Sequence, residues 1–114
     1  MGDPLARFLE RHVEVFNTAV SSGDFSALVA LFAPDARLEF AGVPAGPFAG
    51  RDEIAAAYAA QPPTDTMTVV DTRMEADGTV VEGFSWSADG GARSGEMRLV
   101  VEDGQIHLLV VSFG

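Results

Sequence analysis

Three turn signals in the second half of the chain constrain its fold most: Asp77-Gly78, Asp89-Gly90-Gly91 and Asp103-Gly104. Asp/Gly pairs between apolar runs suit the positive-φ turns that join antiparallel strands. They divide the region into four expected strands, about 66–75, 79–87, 92–102 and 105–113. That pattern is an antiparallel meander.

The first half follows a helical period instead. Asp3 reads as an N-cap with Pro4 at the first helical position. Leu5, Phe8, Leu9, His12, Phe16, Ala19 and Val20 then mark one apolar face as far as Ser22, and Gly23 ends the helix. A second helix is expected from Asp24, closed by Pro34. Residues 36–41 read as a strand, with Leu38 and Phe40 alternating against Arg37 and Glu39. The stretch "AGVPAGPFAG" reads as a loop with a brief extended piece around Phe48. Residues 51–60 form a third expected helix, with Asp52 and Glu53 placed favourably for its dipole and Gln61-Pro62-Pro63 as its stop. Helices followed by strands predict one α+β domain over residues 1–114, with the helices on one face of a sheet.

Alternation assigns the strand faces. In 92–102, Met97, Leu99 and Val101 share one face, while Glu96, Arg98 and Glu102 share the other. The last strand is apolar on both sides: His107, Leu109, Val111 and Phe113 against Ile106, Leu108 and Val110. A second apolar face needs cover, which predicts a homodimer.

Charge and composition exclude several classes of partner. The net charge is −10 and all seven basic residues are arginine, unlike the basic footprint of a nucleic-acid binder. Anionic membrane surfaces are disfavoured for the same reason, and no apolar run approaches a membrane span. With 47% hydrophobic residues over 114 positions, the chain can build a core without staples. Zero cysteines exclude disulfides, thiolate metal sites and cysteine nucleophiles. "MGDPLARFLERHVEVF" lacks the order of a secretory leader, so a cytoplasmic protein is expected. The two histidines, His12 and His107, lie far apart without ligand-like spacing, so no metal site and no cofactor are expected.

The segments "SSGDFSALVALFAPDARLEF", "PFAGRDEIAAAY" and "VVEDGQIHLLVVSFG" resemble the nuclear transport factor 2-like superfamily, in its SnoaL-like and ketosteroid-isomerase-like branch. The resemblance covers essentially the whole chain. It implies a curved antiparallel sheet wrapped round three N-terminal helices into a cone, with an apolar pocket inside and commonly a dimer outside. It does not imply one activity, because this fold hosts isomerases, cyclases, hydrolases, dehydratases and non-catalytic modules.

Isomerase chemistry of this kind needs a carboxylate base, with a tyrosine and a neutral Asp to hold the enolate oxygen. By the resemblance, those positions are Phe40, Phe16 and Met97 here. All three are apolar, and the usual Tyr/Asp/Asp mechanism is therefore not expected. Tyr58 matches a supporting pocket tyrosine in isomerases; it reads equally as a ligand contact or as a core tyrosine bonded to a backbone carbonyl.

Other polar candidates follow from the strand faces. Glu82 shares a strand face with Val80, Phe84 and Trp86. Facing inward it would be a carboxyl of raised pKa suited to acid–base work; a bulge at Gly83 would turn it to solvent. His107 reads as a pocket proton carrier or as a satisfied histidine at the sheet's edge. His12, one turn from Phe16, reads as a pocket-wall residue or a helix-flank histidine. Asp71 and Arg73 share a strand face in a spacing that reverses the Arg-x-Asp pair of epoxide hydrolases of this fold; a surface ion pair is preferred for them, with Thr68, Val70, Thr72 and Met74 facing inward.

The expected catalytic set is thus Glu82, His107 and Tyr58. The expected ligand wall is Phe16, Phe40, Trp86, Met97, Phe113 and His12. Two functions remain open on these residues. One is an acid–base isomerase, cyclase or dehydratase acting on an apolar polyketide- or steroid-like substrate. The other is a non-catalytic ligand-binding or accessory dimer module.

Overall fold

In the computed structural model, which describes residues 3–113, Asp3 caps the first helix, α1 (Pro4–Ser22), by accepting the Leu5 N–H at 3.1 Å. Gly23 ends it at φ 79°, a left-handed turn that glycine enters at least cost, and its N–H returns to the Ala19 carbonyl at 2.8 Å. The chain continues through α2 (Ser26–Val29), β1 (Phe32–Ala41), β2 (Phe48–Ala49) and α3 (Arg51–Ala60). Four strands complete it: β3 (Met67–Met74), β4 (Val80–Trp86), β5 (Gly95–Glu102) and β6 (Gln105–Phe113).

The six strands form one sheet in the order β2-β1-β6-β5-β4-β3. The expected meander accounts for its β3–β6 half, and every pairing is antiparallel except β1 with β6, which is parallel. The sheet is curved and unclosed, and the helices fill its concave side. Leu9 and Phe16 of α1, Leu28 of α2 and Ile54 of α3 join Leu38, Phe84 and Leu109 of the strands in one core. Complete burial of a side chain such as Leu28 or Ile54 contributes about 1.5–3 kcal/mol relative to exposure. The result is the α+β cone that the resemblance implies. Among the described residues, no helix is long and apolar enough to cross a membrane.

Three local expectations are corrected. The second helix does not run to Pro34; it is one turn long, and β1 already starts at Phe32. Phe32 pairs with Ile106, whose N–H donates to the Leu31 carbonyl at 2.9 Å. Pro34 falls in the irregular stretch of β1 between Phe32 and Arg37, where its missing N–H breaks no ladder.

The second correction concerns β6. Val100 pairs with Leu108 and Val101 with Ile106, which leaves His107 as the extra residue of a bulge. Ile106 is therefore fully buried in the core rather than on the outer face, and His107 no longer shares the face of Leu109. The third is a bulge at Val70 between Val69 and Asp71, which leaves Val70 exposed at the edge strand and puts Met67 inside.

The outer face carries the charges. Asp71 and Arg73 are not paired with each other. Arg93 bridges Asp71 and Glu96, Arg73 approaches Glu96 at 4.0 Å, and Arg98 pairs with Glu75. The Arg93 guanidinium lies against Gly83, where any Cβ would collide with it.

Candidate functional site

The concave face of the sheet and the helices above it leave a cavity of about 870 Å³. α1 supplies His12 and Phe16 because both sit on its buried stripe, four residues apart. The strands supply inner-face residues by alternation: Leu38 and Phe40 from β1, Phe84 and Trp86 from β4, Met97 from β5, and Val111 and Phe113 from β6. α3 contributes Tyr58, and the segment after it brings Pro62 and Pro63 to the mouth. The deep end is closed by buried groups such as Phe16, Phe84 and Leu109, while Val43 and Phe113 at the opening are 42% and 50% exposed.

Aromatic packing holds the wall together. Phe16 and Trp86 lie 6.2 Å apart between ring centres, and Phe84 meets Trp86 edge-on at 5.0 Å. Phe40 packs edge-on against Phe48 at 6.3 Å. α1 is clasped to the edge strand by Asn17, whose amide donates to the Met67 carbonyl and accepts from the Met67 N–H, each at 2.9 Å.

Two polar side chains in the deep wall have pKa values moved by burial. His12 is 1% exposed, and desolvation lowers its pKa from 6.5 to about 4, so the imidazole is neutral at physiological pH. Its Nδ1 has no hydrogen-bond partner among the described residues. Tyr58 stacks on Phe25 at 5.3 Å with the rings 9° from parallel. Burial pushes its phenol well above the ordinary range, leaving a neutral hydroxyl.

The structure brings Phe16, Phe40, Trp86, Met97, Phe113, His12 and Tyr58 together around this one space. Glu82 and His107 are placed elsewhere. Glu82 does point to the inner face, opposite Met97 of β5, and is 3% exposed. The Gly83 bulge that would have turned it outward is absent from the β4–β5 pairing. Glu82 lies behind the cavity wall rather than on it, and its Oε1 has no partner among the described residues. Desolvation raises its pKa from 4.5 to about 7. His107 sits in the β6 bulge, half-buried and off the wall, so the two residues do not form a pair facing the cavity.

Several wall residues escaped sequence reasoning. Met67 is one: the Val70 bulge reverses the alternation on which its strand was read. Glu53, Asp65 and Asp89 at the mouth are others, since a carboxylate in a turn carries no signal of facing a cavity. Among the described residues no cluster of three or more His, Asp or Glu side chains is placed to hold a metal ion.

Comparison with known proteins agrees with this geometry. The chain superposes on a Bacillus subtilis protein described as a candidate isomerase, with a TM-score of 0.74 and 16% identity over 99% of this chain and 90% of the other. A candidate polyketide cyclase from Sinorhizobium meliloti matches with a TM-score of 0.61 and 22% identity, covering 89% of this chain and 93% of that one. A de novo designed protein with a curved β-sheet matches at a TM-score of 0.64 and 16% identity, covering 95% and 86%. At such identities the likeness shows the fold alone, as the designed protein makes plain. No curated protein matches the sequence significantly. The family model of the SnoaL-like domain matches residues 10–108. The chain therefore belongs to the SnoaL-like family of the nuclear transport factor 2-like superfamily.

Proposed function

We propose that this protein binds a flat, apolar small molecule of polyketide- or steroid-like shape in its conical cavity. The observation that carries this reading is the cavity itself, about 870 Å³ and walled by Phe16, Phe40, Phe84, Trp86 and Met97. Its size falls in the range of small-molecule sites, which are mostly apolar with a few placed polar groups. A thermal-shift screen of flat ring compounds against charged metabolites tests it. Flat apolar compounds should raise the melting temperature saturably. Stabilisation by charged metabolites alone counts against the reading.

A catalytic form of the reading, isomerisation, cyclisation or dehydration, has one observation in its favour. Glu82 is an inward carboxyl whose burial holds its pKa at about 7, a useful value for proton transfer. It would have to reach substrate from behind the wall, with Tyr58 and His12 as the polar groups already on it. In this form Glu82→Gln lowers turnover by roughly a hundredfold or more. Normal turnover by that variant leaves ligand binding as the function.

The same reading includes a homodimer. Val100 and Leu108 face outward side by side, with Val110 next along β6, all half-buried. The stripe is flanked by the Arg37–Glu39 and Arg98–Glu75 pairs, so two copies can meet apolar to apolar with charges of both signs at the rim. The reading takes the cytoplasm as its setting, and native protein recovered with membranes or outside the cell would count against that.

A further inference from the structure

β3 ends the sheet, and among the described residues no strand pairs with its far edge. The Glu75 N–H donates to the Thr79 carbonyl at the close of the β3–β4 hairpin, at 2.8 Å. Backbone groups alternate sides along an antiparallel strand, so Arg73 also turns its groups to β4, while Thr72 and Met74 turn theirs to the open edge. Asn17 occupies that edge at Met67, but from Val70 to Met74 every residue is exposed. Val70 is 43% and Met74 58% exposed, whereas the other large exposed apolar side chains, Val43 and Phe113, belong to the cavity mouth. The stretch Val70-Asp71-Thr72-Arg73-Met74 has one further property: read from either end it runs apolar, charged, Thr, charged, apolar, with the two charges of opposite sign.

We propose that the β3 edge is a second self-association surface, pairing antiparallel with β3 of another copy of this chain about a two-fold axis at Thr72. It is separate from the outer-face dimer and independent of what the cavity binds. In that register the two Thr72 residues exchange N–H···O=C bonds across the axis. Asp71 stands opposite Arg73 of the second copy, and Arg73 opposite its Asp71, in the closer, non-hydrogen-bonded type of pair. Opposite charges so placed attract, and the exposed Val70 and Met74 meet at the two ends of the contact. Asp71 is held ready by Arg93 and by the Gly83 N–H at 3.2 Å, while Arg73 makes only a loose contact with Glu96 at 4.0 Å. Charges on an edge strand ordinarily deter pairing. Here their order deters strands of other sequence and matches a second copy of the same one.

Amide exchange on the whole protein at rising concentration tests this, because the Thr72 N–H is open in the single copy and bonded in the pair. Once half the chains are paired, that amide should exchange about twofold more slowly. Contact through Val100 and Leu108 lies on the outer face and leaves it open, so the two associations are read separately. Arg73→Glu sets like charges opposite one another and should abolish the concentration dependence. Cross-linking gives a second readout, since the chain has no cysteine of its own. Thr72→Cys should oxidise to a disulfide-linked dimer faster than Thr18→Cys, an exposed control on α1. Thr72 exchange that is independent of concentration, slowing that persists in Arg73→Glu, or equal cross-linking of the two cysteine variants would each overturn the inference.

Discussion

His12 and Glu82 are both buried without full hydrogen bonding, and they drive stability in opposite directions with pH. The Glu82 carboxyl titrates near 7 when folded and near 4.5 when unfolded. Between those values the folded state holds the extra proton, so stability falls as pH rises from about 4.5 to 7, by on the order of 3 kcal/mol. His12 titrates near 4 when folded and near 6.5 when unfolded. There the unfolded state holds the extra proton, so stability falls by a similar amount as pH drops from about 6.5 to 4. The two slopes offset each other over the shared window, and each single variant should expose the other. Glu82→Gln should be more stable than wild type at pH 8, with stability rising steadily from pH 4 to 6.5. His12→Leu should instead lose stability from pH 4.5 to 7. Denaturant titrations at several pH values measure both, and parallel profiles for the two variants would contradict this. The even-numbered apolar neighbours Val80, Phe84 and Trp86 left Glu82 open between the inner face and a Gly83 bulge toward solvent, and only the regular β4–β5 register decides for the inner face. His107 was not legible, because the alternation that placed it beside Leu109 passes through a bulge.

The elements are fitted closely where they border the cavity. Gly95 opens β5 between β4 and β6, and a Cβ there would collide with the Ser112 carbonyl and press on the Phe84 ring at 3.1 Å. Gly95→Ala should therefore destabilise the fold by about 1–3 kcal/mol, measured by urea unfolding; an unchanged midpoint would show that the strands part freely. Asn17→Ala removes the clasp between α1 and β3 and leaves two Met67 backbone groups without their partners. A loss of about 1–3 kcal/mol is expected, with faster amide exchange in β3; unchanged exchange would contradict the clasp. Helix α1 and the β3–β6 turns were readable because capping residues and Asp/Gly pairs act locally. The early start of β1 was not. Phe32 joins the sheet through a parallel pairing with Ile106, seventy-four positions on, and no local pattern announces so distant a partner.

At the scale of the molecule, a helical first half and a strand-rich second half were enough to expect an α+β domain with helices on one face of a sheet, while the cone and its apolar interior followed only from the family resemblance. The contents of that interior were legible where alternation was regular, as at Phe40, Trp86 and Met97. Its acidic mouth was not, since Asp65 and Asp89 look like ordinary turn residues. The outer face makes its own prediction: the protein should sediment as a dimer at micromolar concentration. Leu108→Asp should dissociate or unfold it by burying an unpaired charge in an apolar contact, and a clean wild-type monomer would refute the dimer.

The central claim is that the cavity takes a flat apolar ligand against its aromatic wall, and Trp86 is the chain's only tryptophan. The most direct measurement is a fluorescence titration of Trp86 with estrone, run beside calorimetry on the same samples. The account predicts a saturable change in Trp86 emission with the same midpoint as the heat of binding. Saturable heat with a silent Trp86 would place the ligand elsewhere and contradict the account.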